Sequence, residues 1–413
     1  MASTDGRSAR RVVLHVGLHK TGTTYLQTLF RANRDALADQ GIYFPGAAGE
    51  PSQHMAAWDL RGRRSAGSHD RRQVGQWQAL CTAVSTSALP TALISAETLS
   101  VLTAKQAAQA VAAFPDREVV VVITARDLGR VLVSAWQEAV KSDSTITWSE
   151  FSAAVQDPNA RGANPARGFW INYDFPAILA NWRQTLPADR VHVVTVPPAG
   201  ARPEELAERM AKIVGYDATT LAEPPARDNS SLGVAGTEVI RRLNEGLHHR
   251  LNERQHAQVV KAVLAPHLAG ANGDARYGLP SEELPWVEAE ARRQIDAVRR
   301  GGHPVVGDLD DLLPKVDASA RRPDDASTEE LLDMAMLALA RMSERTAHLW
   351  WRSRKADQPR VQPAGLRARA TSARRAADFR ARRLVARLAD RNKVAARAVG
   401  LYLKQKERRR KVP

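Results

Sequence analysis

RVVLHVGLHKTGTTY, Arg11 to Tyr25, decides how the rest of the chain is read. Val12 to Val16 is a short, nearly all-apolar run closed by a glycine, which predicts a buried strand. Gly17-Leu-His-Lys-Thr-Gly22 follows as a tight loop with two glycines and one lysine. Thr23 and Thr24 then open a helical pattern with Leu26, Leu29, Phe30 and Leu37 on one stripe. Strand, glycine loop and helix together aim backbone N–H groups and a helix N-terminus at one anion. Lys20 adds a full positive charge, and Thr23 and Thr24 add hydroxyl donors.

Gly17 and Gly22 have the spacing of the ATP/GTP loop G-x-x-x-x-G-K-[ST]. That loop needs lysine after its second glycine. Here Thr23 stands there, and the lysine lies inside the loop at Lys20. A phosphate-like group is still cradled, but the cation reaches it from another place. The residues His19-Lys20-Thr21-Gly22-Thr23-Thr24 resemble the 5′-phosphosulfate loop of bacterial sulfotransferases that use PAPS (3′-phosphoadenosine-5′-phosphosulfate). The resemblance implies that these six residues hold the donor, with His19 contacting a sulfuryl oxygen.

Farther along, the pattern predicts strands at Leu89–Ala96, Glu118–Thr124 and Arg190–Val196. Between them, Lys105–Ala113, Leu128–Lys141, Thr147–Gln156 and Phe175–Leu186 have helical spacing, as does Pro203–Val214 after the last. Residues 45 to 75, rich in Gly, Ser, Arg and His, predict a long mobile loop with one short helix near Met55–Leu60. Helices dominate later, at about 232–250, 254–268, 283–300 and 327–354. Strands alternating with helices predict an α/β protein with a parallel, doubly wound sheet, to which the resemblance adds a P-loop-like phosphosulfate loop. A helical C-terminal region and a basic tail follow. Ligands are expected at the carboxyl ends of the strands.

Two further segments carry the resemblance. Thr124-Ala-Arg126-Asp127 ends the most apolar strand, and Ser134 lies eight residues after Arg126. A guanidinium fork and a hydroxyl meeting at a strand–helix junction make a phosphate clamp. The R-D-x-x-x-x-x-x-S pattern resembles the 3′-phosphate site of the same family, although Leu128 stands where that family often has proline. Arg227-Asp-Asn-Ser-Ser231 resembles its R-x-N-x-S segment, which implies that Arg227 or Asn229 closes over the nucleotide; the plainer reading is an N-cap.

Sulfuryl transfer needs a base beside the acceptor hydroxyl. Glu97 ends a strand, where partial burial would raise its pKa toward that of a useful base. His54, in the long loop, is the rival. Glu97 capping the next helix or pairing with Lys20 is the structural alternative, and His15 is read as core. No histidine, cysteine or carboxylate cluster has metal-site spacing, so no metal is expected. The resemblance implies PAPS as co-substrate and a hydroxyl-bearing small molecule or glycan as acceptor. Competing classes are a nucleotide kinase or NTPase, disfavoured by Thr23, and a non-enzymatic adaptor acting through the tail.

The chain has 413 residues and one cysteine, Cys81, which excludes an intramolecular disulfide. Its N-terminus is short and polar, and the run Val119–Ile123 is far too short to span a bilayer, so a soluble, cytoplasmic protein is expected. Leu366–Pro413 holds 17 of the 60 lysines and arginines against three acids, so the +15 net charge belongs almost wholly to the tail. Leu384, Val385, Leu388, Ala395, Val399 and Tyr402 fall on one helical stripe there among arginines. Such a segment suits a peripheral position on an anionic membrane; a solvated extension is the alternative. With only Phe379 and Tyr402 for stacking, it is poorly equipped for nucleic acid. The expected organisation is a disordered N-terminus (1–10), a sulfotransferase domain (11–310), a helical extension (311–355) and a basic, partly helical tail (356–413).

Overall fold

Six parallel strands form one sheet in the order β2-β3-β1-β4-β5-β6. They are β1 (Arg11–His15), β2 (Ile42–Tyr43), β3 (Thr91–Ser95), β4 (Glu118–Ala125), β5 (Val191–Thr195) and β6 (Val305–Val306). The computed structural model describes residues 10–62, 74–202, 204–222, 232–247, 250–271, 277–315 and 321–356. The sequence-based expectations for Arg227, Asn229 and the basic tail lie outside them. The chain divides into two compact units, residues 1–343 and 344–413.

β1 shows why the sheet is wound on both faces. Successive side chains of a strand point to opposite sides. Val12 and Leu14 enter one core with Ile94, Val121 and Val193, while Val13 enters the other with Leu93, Val122 and Val194. Helices α1 (Thr23–Ala32), α2 (Arg34–Asp39) and α10 (Glu205–Val214) cover the second face through Leu26, Phe30, Leu37 and Met210. The first face is covered by α3 (Gln53–Leu60), α4 (Gln76–Thr86), α5 (Ala104–Ala112), α9 (Phe175–Arg183) and α14 (Leu284–Gly301).

A third cluster contains no strand residue. It packs α6 (Leu128–Lys141), α7 (Trp148–Gln156), α8 (Ala166–Tyr173) and α11 (Val234–Leu247) together with the helical stretch 253–268. That stretch is α12 (Glu253–His256), a wider π-type segment (Ala257–Leu264) and α13 (Ala265–Leu268). Pro266 lacks an N–H for the carbonyl four residues earlier, a known cause of altered helical winding. The final helix, α15 (Thr328–Ala356), contributes Met334 to this cluster. No helix among the described residues is long and apolar enough to cross a membrane.

The helix expected to continue from Thr23 through Leu37 is two helices. Asn33 breaks it: its side chain donates to the Leu29 and Ala222 carbonyls and accepts from Ala222 N–H. A tertiary contact thus overrides the local stripe. α7 starts in a capping box, with the Thr147 side chain accepting from Glu150 N–H and Glu150 accepting from Thr147 N–H.

α6 links the sheet to the third cluster, and Trp136 is its anchor. The indole is fully buried, meets Trp148 edge-on at 5.8 Å and donates to the Ile146 carbonyl at 3.0 Å. Trp136→Ala should lower unfolding stability by about 3–5 kcal/mol, read as an earlier urea midpoint. A loss below about 1 kcal/mol would show that this cluster does not hold α6.

Candidate functional site

The chain passes from β3 on one side of β1 to β4 on the other, so the loop after β1 sits at the switch point of the sheet. The loops after β1, β3 and β4 carry Lys20, Glu97 and Arg126 respectively.

The loop is tied down from below. Its start stays on the ladder, with Val16 N–H bonded to Val122 O at 3.0 Å and Leu18 N–H to Thr124 O at 2.8 Å. Thr21 is fully buried and donates to Leu18 O, so the Thr21–Thr124 contact of 2.6 Å needs Thr124 as donor. Thr124 in turn accepts from His15 Nε2 at 3.2 Å, and His15 Nδ1 accepts from Ser95 at 2.8 Å. Burial pushes His15 down to about 4, so this ring is neutral. His15 is core, as its sequence position predicted. The Thr21 hydroxyl is spent on this network, which leaves only its main chain for a ligand.

Two glycines fit the loop to its surroundings. Gly17 has φ 103°, and a Cβ there would lie 3.1 Å from Glu97 Cα. Gly22 has φ 82°, and a Cβ would meet Leu206 Cδ2 at 2.5 Å. Lys20 also takes the left-handed region, at φ 62°. α1 begins at Gly22 with no side-chain cap, so its first amides carry the partial positive charge of an open helix end. Thr23 is buried and Thr24 exposed at that end.

Arg126 joins the second segment to the first. Its Nη1 donates to Lys20 O at 3.3 Å, while its Nε is buried with no partner. Asp127 is not its counter-ion: it caps α6 through Arg130 N–H at 2.9 Å and pairs with the Arg130 guanidinium. Burial lowers Arg126 to about 10, leaving it charged. Ser134 faces the same cavity of about 310 Å³, as do Arg130, Gln137, Tyr277 and Lys315. An arginine with an unfilled donor and a hydroxyl on one cavity wall can hold a phosphate.

Glu97 opens the short 3₁₀ turn Glu97–Val101 and accepts from Gln27 Nε2 at 2.8 Å. The expected upward pKa shift is corrected here. Burial does push upward, but the residue's own N–H, Gln27, His19 and His54 outweigh it and hold the carboxyl below its ordinary value. His54, exposed at the start of α3, lines the same cavity of about 210 Å³. Its Nε2 accepts from Trp58 Nε1 at 3.2 Å, which occupies the lone pair a base would use. His19 is held below its ordinary value by burial.

Lys20 does not pair with Glu97. Its ammonium lies 2.5 Å from Glu138 Oε2 on α6. Lys141 meets the same oxygen at 3.0 Å, and Lys261 meets Oε1 at 2.7 Å. Burial opposes the charge on Glu138, but these three lysines hold it far below the usual carboxylate range. Sequence reasoning missed Glu138, Lys141 and Lys261. Ser134, Glu138 and Lys141 share one face of α6 by their spacing of four and three, whereas Lys261 comes from a distant helix and left no local signal. Among the described residues, no group of three or more His, Cys, Asp or Glu could hold a metal ion.

No family model matches the chain, and no curated protein matches it. Among solved structures it is similar to a sulfotransferase from Alicyclobacillus acidocaldarius, at 16% identity with a TM-score of 0.37; the match covers 59% of this chain and 98% of that one.

Proposed function

We propose that the chain is a sulfotransferase that moves a sulfuryl group from PAPS to the hydroxyl of a small molecule or glycan. The observation that carries this reading is Arg126. A buried guanidinium with an unfilled Nε is costly unless a ligand completes it, and here it touches the one loop whose residues resemble a phosphosulfate site.

In this reading Arg126 and Ser134 grip the 3′-phosphate. Lys20, the first amides of α1 and the hydroxyls of Thr23 and Thr24 receive the 5′-phosphosulfate. The acceptor oxygen attacks sulfur, the bond from sulfur to the bridging phosphate oxygen breaks, and 3′,5′-bisphosphate (PAP) leaves. Glu97 takes the acceptor's proton. Lys20 stabilises charge growing on the leaving oxygen, as a cation does in phosphoryl transfer. The chain's own residues supply binding, orientation and proton removal in this scheme.

Lys20→Ala should weaken PAPS binding by about 2–3 kcal/mol and abolish turnover; titration calorimetry and a radiolabelled-sulfate assay read both. Arg126→Ala should weaken PAP more than its 3′-dephospho analogue. Equal losses for the two ligands would remove the clamp assignment.

Glu97 makes a pH prediction with a definite sign. A depressed carboxyl is ionised above its folded pKa, so the base is present at neutral pH and lost only as pH falls through a value below about 4.5. The acid limb of kcat should lie in that range, above any acid unfolding seen by circular dichroism. Glu97→Gln should cut kcat by roughly 10²–10⁴ with PAP affinity nearly unchanged. A limb near neutrality would assign proton removal to an imidazole instead.

A further inference from the structure

We propose that Glu138 holds Lys20 aside in the donor-free protein and yields it to the donor, while Lys141 and Lys261 keep Glu138 in place. This rests on the sulfotransferase reading and adds a positioning residue to it.

Lys20 is the only lysine in the loop, yet its ammonium is bonded to α6 at 2.5 Å. Two features make that contact exchangeable. The main chain at Lys20 is pinned by Arg126 Nη1 on its carbonyl, whereas the side chain is 29% exposed, so only the side chain has to swing. Departure of Lys20 also leaves no orphan. Stripping a partly buried carboxylate of its one partner is strongly unfavourable, but Glu138 retains Lys141 on Oε2 and Lys261 on Oε1.

Lys261 is itself placed for this duty. It sits in the π-type segment Ala257–Leu264 and donates also to Ser142 at 3.1 Å, so it bridges α6 and the neighbouring helix. Ser134 is four residues before Glu138, about 6 Å along α6. The carboxylate that holds Lys20 is therefore carried on α6 about one turn after the residue assigned to the donor's 3′-phosphate. The exchange is one anion for another: Lys20 leaves a carboxylate for the phosphosulfate, and three lysines with one carboxylate leave a net positive field to receive it.

The test is a double-mutant cycle on the full chain, with PAP affinity measured by calorimetry for wild type, Glu138→Gln, Lys20→Ala and the pair. Freeing Lys20 should tighten PAP roughly five- to tenfold in Glu138→Gln, and the gain should vanish when Lys20 is alanine. Unchanged or weaker binding in Glu138→Gln, or the same change in both backgrounds, would overturn the proposal. Should that variant not fold, Lys141→Met/Lys261→Met makes the decision. Glu138 would then grip Lys20 alone, and PAP should weaken more with Lys20 present than with Lys20→Ala; equal losses overturn it. A wild-type chain that binds no PAP would sink the sulfotransferase reading and this inference together. PAP binding without coupling would sink this inference alone.

Discussion

Everything at the carboxyl end of the sheet depends on one buried chain of hydrogen bonds. Ser95 gives to His15, His15 to Thr124, Thr124 to Thr21 and Thr21 to the Leu18 carbonyl. The direction is forced, because each hydroxyl has one proton and the final acceptor is a carbonyl. Three strands and the loop are thereby fastened at their ends, not merely paired along their lengths. The arrangement needs a neutral imidazole, which burial supplies. A buried polar network that is complete makes its neighbourhood rigid, and this one lies directly under the loop that carries Lys20.

Above that floor the bonding is deliberately incomplete. Arg126 has an unfilled buried Nε, α1 has no side-chain cap, and three lysines share one carboxylate. Each of these is hydrogen-bonding or charge capacity that an anion would complete. They are concentrated between β1 and β4, against a fully satisfied layer beneath, and it is on this concentration that the proposed anion site rests. Unmet hydrogen-bonding capacity elsewhere, such as Trp182 Nε1 in the core, has no such company.

Much of this was legible in the sequence, for reasons that also set the limits. β4 and β5 were readable because continuous β-branched runs have few other stable homes. α6 was readable because its apolar period is long enough to be unambiguous. The two-residue strands Ile42–Tyr43 and Val305–Val306 have no period at all and exist only through their neighbours. The helix break at Asn33 depends on Ala222, far along the chain. Within the site, Lys20 and Arg126 could be found because each sits at the end of a readable strand. The sign of the Glu97 shift could not: it turns on Gln27 and on two histidines that only the fold brings near.

In the proposed reaction, Glu97 and Glu138 are one residue type given two roles by its surroundings. Both are ionised and both lie beside the loop. Glu138 is saturated by three ammonium groups on its two oxygens, so it has little capacity left to accept a proton. Glu97 is held by its own N–H, one neutral amide and the two nearby histidines, which keep it charged without exhausting its lone pairs. It also lines a cavity of about 210 Å³, from which it can be approached. A base must be ionised, reachable and not already satisfied. Of the two carboxylates, only Glu97 meets all three conditions, and Glu138 fails the last because it serves the lysine.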